Sequence, residues 1–302
     1  MLAPIVLFVY NRHDHTMRTI ESLKKNDLAR QSDLIIFSDA SKNVETKRAV
    51  SDVRKYIATV DGFKSLKIVE REQNFGLAKS IIYGVTEVVE QYGKAVVLED
   101  DLIVSPYFLQ FMNDGLNKYE HDPEVISIHG YVYPVREELP PVFFLKGADC
   151  WGWATWKRGW NLLETDGNKL LSTLEREKMT KEFNFDFSYP YVKMLRDQIR
   201  GKNDSWAILW YASAFVQNKL TLYPGKSLVK NVGLDGSGTH CGADDIGDVV
   251  ITDGPILLED IPLEENQQAK NLIKKYFRSK RTLIYKKFKS RLKQLWYILK
   301  KL

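Results

Sequence analysis

The first hundred residues repeat one pattern, in which a short, mostly apolar run of strand length ends in polar residues and is followed by a helix-like segment. These runs cover residues 4–10, 34–37, 66–69 and 94–98. Apolar residues at a spacing of three or four follow, as at Met17, Ile20 and Leu23, which indicates helices. The alternation predicts an α/β fold in which helices cover both faces of a mainly parallel sheet.

Length and composition favour one large α/β domain with an appendage. The chain has 302 residues, and 44% of them are hydrophobic, which excludes a disordered chain. The two cysteines, Cys150 and Cys241, provide no disulfide framework and fit no zinc module, so we expect a reducing compartment. The run at 4–10 is too short for a signal peptide, and no stretch approaches the roughly 20 apolar residues of a membrane span. We therefore expect a soluble body.

The polar residues that follow the apolar runs have a predicted location. In open parallel sheets, ligands bind outside the carboxyl ends of the strands. We therefore expect these residues to converge on one crevice. They are Asn11, Arg12, Asp39, Asn74, Glu99, Asp100 and Asp101.

Three adjacent carboxylates, Glu99 to Asp101, follow the fourth apolar run. In an extended chain, alternation places Glu99 and Asp101 on one side and Asp100 on the other. Such carboxylates repel one another unless a cation compensates them, and a hard divalent ion such as Mg²⁺ or Mn²⁺ prefers oxygen ligands. The alternative is a solvated acidic loop, or the first turn of the next helix.

Four motifs in the first third of the chain carry a family resemblance when they are taken in order. They are Val6-Leu-Phe-Val-Tyr-Asn-Arg12, Ser38-Asp39, Asn74-Phe-Gly-Leu-Ala78 and Val97-Leu-Glu-Asp-Asp-Leu102. The ordered set resembles the GT-A glycosyltransferases, both the bacterial family-two type and the N-acetylglucosaminyltransferases that begin complex N-glycan branching. The resemblance implies a GT-A fold, a nucleoside diphosphate sugar as donor with UDP favoured, and Mn²⁺ or Mg²⁺ as cofactor.

The same resemblance implies roles for the residues at the strand ends. Arg12 and Asp39 would contact the uracil or ribose of the donor, with Asn11 in the same pocket. Asp100 would lie near the ribose and the sugar, and Asp101 would be the direct metal ligand. From the residues alone, Arg12 is equally a surface arginine and Asp39 a helix N-cap.

Further donor-binding residues are implied on either side of the third helix. Asn74 and Gly76 would begin the helix that flanks the donor. Lys79 would approach the donor phosphates, and Glu99 would line the same site.

Four tryptophans lie within ten residues, at 151, 153, 156 and 160. A tryptophan ring stacks well on the apolar face of a sugar, so we assign Trp151 to the nucleotide-sugar site. The spacing of Trp153, Trp156 and Trp160 instead predicts one face of a buried helix. We expect these three to belong to the core.

Asp204 precedes a segment in which Trp206, Leu209 and Trp210 have helical spacing, and Gly201 interrupts the helix before it. The resemblance implies that Asp204 is the general base, because related enzymes have an aspartate at the head of such a helix. The alternative is that Asp204 is the N-cap of that helix.

A glycine-rich segment with a late histidine covers residues 230–240. Its glycines suit a lid over a diphosphate, and His240 would bind the phosphates or complete the metal shell, as a late histidine does in several GT-A enzymes. The alternative is a surface histidine.

The last 33 residues, 270–302, contain 13 Lys or Arg and no Asp or Glu. Apolar residues recur at steps of three or four from Ile284 to Leu302, which predicts a basic amphipathic C-terminal helix lying on an anionic membrane. The alternative is a helix that docks on the acidic body. Nucleic acid is disfavoured as a partner, because the body has no basic groove.

These observations predict a metal-dependent, inverting glycosyltransferase of bacterial surface polysaccharide synthesis. It would move a sugar from a nucleotide-sugar to a hydroxyl of a glycan or lipid-linked oligosaccharide. The predicted GT-A domain covers 1–265, with a donor half (1–102) and an acceptor half (103–265), and the tail covers 266–302. We expect a cytoplasmic protein at the inner face of the cell membrane. The alternatives are a sugar-nucleotidyltransferase and a non-catalytic carbohydrate-binding protein.

Overall fold

The computed structural model describes residues 1–234 and 249–280, and a large β-sheet lies at its centre. Eight strands form this sheet in the order β3-β2-β1-β4-β8-β6-β9-β7, and β5 and β10 form a separate pair. The strands are β1 Ile5–Val9, β2 Asp33–Ser38, β3 Ser65–Glu70, β4 Lys94–Glu99, β5 Leu102–Val104, β6 Val125–His129, β7 Val142–Lys146, β8 Trp153–Trp156, β9 Leu220–Pro224 and β10 Val229–Asn231.

Helices connect the strands and pack on both faces of the sheet. The α-helices are α1 His13–Lys24, α2 Val44–Ile57, α3 Leu77–Tyr92, α4 Phe108–Lys118, α5 Lys157–Trp160, α6 Gly167–Arg176, α7 Thr180–Phe183, α8 Tyr191–Ile199 and α9 Trp206–Val216, and residues 267–280 are also helical. A 3₁₀ turn covers Ala29–Gln31. The α/β prediction with helices on both faces is confirmed.

The pairing of the strands determines where their ends meet. β1 lies between β2 and β4 and is parallel to both, and β2 is parallel to β3. The carboxyl ends of these four strands therefore lie at one edge of the sheet. Of the seven pairings described in the sheet, four are parallel and three antiparallel. The sheet is thus mainly parallel, as predicted.

Alternating residues of the central strands enter different cores. Leu7 and Leu98 pack on the side of α1 and α4, whereas Phe8 and Val97 pack on the side of α3. This alternation follows from the pleat of a strand, whose successive side chains point to opposite faces.

The tryptophan-rich segment differs from its predicted helix. Residues 153–156 form β8, which pairs antiparallel with both β4 and β6. Residues three apart on a strand face opposite sides, so Trp153 and Trp156 enter different cores. The helical interpretation was therefore wrong for these residues, although Trp153, Trp156 and Trp160 are all buried, as expected.

The described part of the C-terminal tail docks on the body. Leu272, Ile273 and Phe277 of the helix at 267–280 are buried in a cluster with α6, α8 and α9. The apolar stripe from Ile284 to Leu302 lies outside the described residues. Within residues 1–234 and 249–280, every helix is too short or too polar to cross a membrane.

Gly84 of α3 provides a test of how closely this helix approaches the sheet. A Cβ at Gly84 would lie 2.6 Å from Cε1 of Phe8. Because the aromatic ring cannot yield without moving the core, we expect Gly84→Ala to lower the free energy of unfolding by about 1–3 kcal/mol. Urea titration measures this change.

Gly254→Ala is the matched control, since a Cβ there meets no atom within 4 Å. We expect it to change stability by less than about 0.5 kcal/mol. Equal effects of the two substitutions would contradict the close packing of α3.

Candidate active site

Asp39 follows β2 and organises the loop between β3 and α3 by hydrogen bonds. Its Oδ1 accepts the backbone N–H groups of Ala40 and Phe75, each at 2.9 Å. Its Oδ2 accepts the backbone N–H of Gly76 at 2.9 Å and the side-chain amide of Asn74 at 3.1 Å. The sequence-predicted residues Asp39, Asn74 and Gly76 are therefore brought together, and Asp39 is buried among its partners.

The N-cap interpretations of two aspartates are wrong. The cap of α2 is Asn43, whose side chain accepts a backbone N–H of the first turn, so Asp39 does not cap this helix. The cap of α9 is Ser205, which accepts a backbone N–H in the same way. Asp204 lies just before this cap and is exposed to solvent.

The start of α3 has the conformation that its glycine permits. Gly76 is the residue before the helix, with φ of 74°, a left-handed conformation that L side chains rarely adopt. Lys79 is exposed, and its Nζ lies 4.3 Å from the centre of the Phe75 ring. Its predicted approach to the donor phosphates stays a prediction. Asn11 is partly exposed in the turn between β1 and α1.

The acidic triplet is a turn rather than an extended chain. β4 ends at Glu99, and Asp100 and Asp101 form a turn before β5. The turn brings both aspartates to the same guanidinium: Nη2 of Arg12 contacts Oδ1 of Asp100, and lies 2.9 Å from Oδ2 of Asp101. The predicted separation of Asp100 from Asp101 was wrong for this reason. The triplet is also no solvated loop, because Asp100 is only 4% exposed.

Burial and mutual repulsion perturb the ionisation of this cluster. Burial, reinforced by the carboxylates of Asp101 and Asp100, raises the pKa of Glu99 to about 8. Burial also raises the pKa of Asp100 to about 6, against the opposing effect of the Arg12 guanidinium. Burial lowers the pKa of Arg12, but the carboxylates of Asp100 and Asp101 together raise it by a larger amount. The net shift of the Arg12 pKa is therefore upward. The cluster therefore favours additional positive charge.

Residues after β10 close against the acidic turn. The backbone N–H of Val232 donates to the carbonyl of Asp101 at 2.8 Å. Gly233 follows, and a Cβ there would lie only 2.1 Å from Oδ2 of Asp101. Its N–H donates to the side chain of Asn231 at 2.8 Å. The first glycine of the predicted lid is thus needed for a close approach of the backbone to Asp101, whereas Gly236, Gly238 and His240 lie outside the described residues.

Asp204 is connected to the acidic turn through a tryptophan. Trp206, at the start of α9, lies beside the carboxyl group of Glu99 and opposes the upward shift of the Glu99 pKa. Two residues separate Asp204 from Trp206 along the chain, and Oδ2 of Asp204 lies 3.6 Å from where a Cβ of Gly76 would be. The start of α9 therefore lies beside both the triplet and the start of α3.

The second half of the chain contributes an aromatic wall. Trp151 is partly buried, and its ring centre lies 4.7 Å from that of Tyr131. The backbone N–H of Trp151 donates to Nε2 of His129 at 3.1 Å, and burial lowers the pKa of His129 to about 3. His129 pairs with Trp153 in the sheet, next to the carboxyl end of β4. Trp151 is thus near the same edge as the triplet.

Asp149 lies in the loop that carries Trp151, and tyrosines surround it. Its Oδ2 accepts the hydroxyl of Tyr223 at 3.0 Å and that of Tyr133 at 3.4 Å. Burial raises the pKa of Asp149 to about 6, although both hydrogen bonds oppose this shift. The network ties the loop to the end of β9 and to the residues after β6.

Sequence reasoning missed several residues of the site, and only some of them left a signal. Asp149 lies two residues before Trp151, and a carboxylate beside a cluster of aromatic residues could have indicated a polar group of the site. No sequence signal indicated two other contacts, that of Trp206 with Glu99 and that of Gly233 with Asp101. These pairs are 107 and 132 positions apart in the chain.

The fit of a divalent cation can be judged from the donor atoms. Across the part of the chain that the structure describes, His, Cys, Asp and Glu side chains nowhere form a group of three or more that could hold a metal ion. Asp100 and Asp101 nevertheless provide hard oxygen donors. The pKa values of Glu99 and Asp100 remain raised although Arg12 opposes both shifts. This chemistry suits Mn²⁺ or Mg²⁺.

The solved structures that match part of the chain include the following two. A mannosyltransferase, PcManGT from Pyrobaculum calidifontis in complex with GDP-Man and Mn²⁺, is 18% identical at a TM-score of 0.33, over 44% of this chain and 36% of that one. TarS of S. aureus, residues 1–349, is 12% identical at a TM-score of 0.42, over 76% of this chain and 60% of that one. The chain thus matches less than two thirds of the length of either structure. No curated protein matches the sequence.

The family of the chain is shown by a comparison with models of protein families. The model of glycosyl transferase family 2 matches residues 5–169, which is more than half of the chain. The match runs from β1 through the acidic turn and the tryptophan-rich segment to the start of α6. The chain therefore belongs to glycosyltransferase family 2 and has the GT-A fold.

Proposed function

We propose that this glycosyltransferase moves a sugar, with inversion, from a nucleoside diphosphate donor to a hydroxyl of a glycan or lipid-linked oligosaccharide. UDP is the favoured nucleotide, and the transferred group is a hexose or an N-acetylhexosamine. The crevice at the carboxyl ends of β1 to β4 would bind the donor, as ligands do in such sheets.

One observation carries the proposal, which is the position of the start of α9: Trp206 lies beside Glu99, and Oδ2 of Asp204 lies 3.6 Å from where a Cβ of Gly76 would be. It brings the exposed Asp204 to the turn that holds Asp100 and Asp101. A carboxylate available as a base therefore lies near carboxylates suited to a cation, across a crevice between two halves of the chain. Such positioning makes transfer between two bound substrates effectively unimolecular.

In the proposed chemical step, Asp204 is the base that accepts the proton of the acceptor hydroxyl. The acceptor oxygen would form its bond to the anomeric carbon as the bond from that carbon to the diphosphate breaks, and Asp204 would take the proton of the hydroxyl. A single displacement of this kind inverts the anomeric centre. Asp101, with His240, would hold Mn²⁺ or Mg²⁺, and Asp100 would lie near the ribose and the sugar. When bound, the cation supplies positive charge that stabilises the departing diphosphate.

The remaining donor contacts follow from the loops at the strand ends. Asp39 holds the β3–α3 loop by its hydrogen bonds, so that Asn74 and Gly76 face the nucleotide side. Arg12 would leave Asp100 and Asp101 when a cation binds there, and would then contact the uracil or ribose together with Asn11. Lys79 would approach the phosphates.

The acceptor is proposed to enter beside the aromatic wall. Trp151 provides a ring on which a sugar stacks, and the hydrogen bonds of Asp149 hold its loop. A lipid-linked acceptor would place the enzyme at the inner face of the cell membrane. The basic segment 270–302 would contact anionic lipid there.

Replacement of the proposed base should lower the rate of the chemical step and leave the affinity for the donor unchanged. We expect Asp204→Asn to lower kcat for sugar transfer by about 100- to 10,000-fold with an unchanged Kd for the donor. Release of the nucleoside diphosphate measures kcat, and calorimetry measures Kd. Asp197→Asn, which removes a carboxylate paired with Lys193 on α8, is the control and should keep parental activity. Parental kcat in Asp204→Asn would contradict its role.

Donor and cation should stabilise the protein together. In a thermal-shift screen of UDP- and GDP-sugars with and without MnCl₂, we expect the correct donor to raise Tm by about 5 °C in the presence of the metal. Asp101→Asn should lose this shift, while Asp27→Asn, an exposed position on the chain, should keep it. Metal-independent stabilisation that persists in Asp101→Asn would contradict the assignment of this residue.

The ionisation of Asp149 should make stability depend on pH. Because the pKa of Asp149 rises from 3.8 to about 6 on folding, the native state binds more protons than the unfolded state between these values, and stability falls as pH rises through this range. Asp149→Asn removes this fall, so it should gain stability relative to the parent from about pH 4 to pH 7. Urea titrations at both pH values measure the difference in stability between Asp149→Asn and the parent. A constant difference in Asp149→Asn would refute the shift.

A further inference from the structure

A left-handed turn presents an exposed phenylalanine on the acceptor half. Three consecutive residues other than glycine, Phe185, Asp186 and Phe187, have φ values of 47°, 51° and 62°. L-residues visit this region singly and at a cost, so three in a row require support from their surroundings. The result of this costly backbone is that the side chain of Phe187 is 61% exposed.

The turn is held firmly, so its conformation is part of the fold. Backbone hydrogen bonds join Asp186 to the carbonyl of Lys181 at 3.0 Å and Ser188 to that of Phe185 at 3.1 Å. The ring of Phe185 is buried against Phe277 of the C-terminal helix, with ring centres 5.5 Å apart. Burial of Phe185 thus determines the turn, and its neighbour Phe187 is directed outward.

A cleft rich in lysine adjoins the turn. It has a volume of about 370 Å³, and its charged lining residues are Lys178, Lys181, Lys270, Lys274, Glu182 and Asp186. We call this feature the lysine cleft. Lys270 is paired with Glu265 at 2.6 Å and Lys274 with Asp186 at 2.9 Å. Lys178 and Lys181 are exposed, and neither forms an ion pair with any other described residue.

We propose that Phe187 and the lysine cleft together dock on an anionic lipid membrane. An aromatic ring enters the boundary between headgroups and acyl chains, and lysines around it bind the anionic headgroups. The lysine cleft faces the helix at 267–280, which leads directly into the basic residues of the tail. This docking surface rests on the membrane association proposed above and adds a contact outside the tail.

A membrane fits this surface better than a protein partner does. A stable protein interface buries about 800 Å² on each side around a packed apolar centre, whereas one phenylalanine beside a basic cleft offers no such centre. Docking here would also serve the proposed acceptor. Phe277, which supports the turn, packs 4.8 Å from the ring centre of Tyr133, and Tyr133 binds Asp149 in the loop of Trp151.

Vesicle binding by the full-length chain tests the proposal. The probes are vesicles of phosphatidylcholine alone and of phosphatidylcholine with an equal amount of phosphatidylglycerol. The seven native tryptophans, which include Trp296 of the tail, also emit, so each variant is compared with the parent under the same conditions. We expect Phe187→Trp to add a blue-shifted emission, quenched by brominated acyl chains, to that of the parent, with the anionic vesicles only. Tyr83→Trp, at an aromatic residue that is 58% exposed on α3, is the matched control and should add no vesicle-dependent change to the emission of the parent.

Charge variants test the lysine cleft in the same assay. Each lysine near a lipid surface contributes about fivefold in affinity, so Lys178→Gln/Lys181→Gln should weaken binding about 25-fold. Lys64→Gln/Lys67→Gln makes the same change of charge near β3 and should have little effect. Nucleotide release without vesicles should be unchanged in every variant, which separates this proposal from the proposed chemistry.

The possible failures are distinguishable. If the parent binds no anionic vesicle, both the tail and this docking surface are wrong. If the parent binds and Lys286→Glu/Lys287→Glu/Lys289→Glu abolishes binding, but Phe187→Trp never responds, the tail is the anchor and the docking surface is wrong. If Phe187→Trp responds to polyglutamate and not to vesicles, the partner is an acidic protein and the lipid assignment is overturned.

Discussion

The pairing of Arg12 with Asp100 and Asp101 is the interaction on which the crevice depends. Carboxylates that leave a buried strand lose hydration, and such groups persist in a fold only when opposite charge or hydrogen-bond donors replace the lost water. Arg12 leaves β1 at the same edge of the sheet, because β1 and β4 are parallel neighbours. The counter-charge is therefore supplied by the topology of the sheet itself.

Polar groups at the ends of β2 and β4 also contact other elements of the chain. Asp39 binds the loop that begins α3, and Trp206 of α9 lies beside Glu99. The loop satisfies the buried carboxylate of Asp39 with donors from another element, since an unsatisfied one would cost more than the bonds themselves contribute. The strand ends and the elements beside them are thus held together by a few polar contacts.

The aromatic half has a different physical basis. Trp151, Tyr131 and Tyr133 pack edge to face, and Asp149 receives tyrosine hydroxyls within this largely apolar wall. The C-terminal helix completes it through Phe277. The helix at 267–280, which leads to the basic tail, therefore also supports the loop of the proposed acceptor site.

Sequence patterns were sufficient to predict the α/β class, the strands of the first hundred residues and the edge at which their polar residues meet. These follow from apolar periodicity and from the rule for parallel sheets, both of which are local or general. The tryptophan segment was misassigned because its spacing of three and four also suits a strand that continues into a short helix. Only sheet pairing distinguishes these arrangements.

Tertiary structure alone decided which groups touch. The turn at Asp100 and Asp101 overrode strand alternation, and the contacts of Glu99 with Trp206 and of Asp101 with Gly233 join residues more than a hundred positions apart. These contacts form because the second half of the chain folds over the end of β4. The groups that lie beside each buried carboxylate are therefore set by packing. Sequence periodicity and motifs do not predict such long-range contacts.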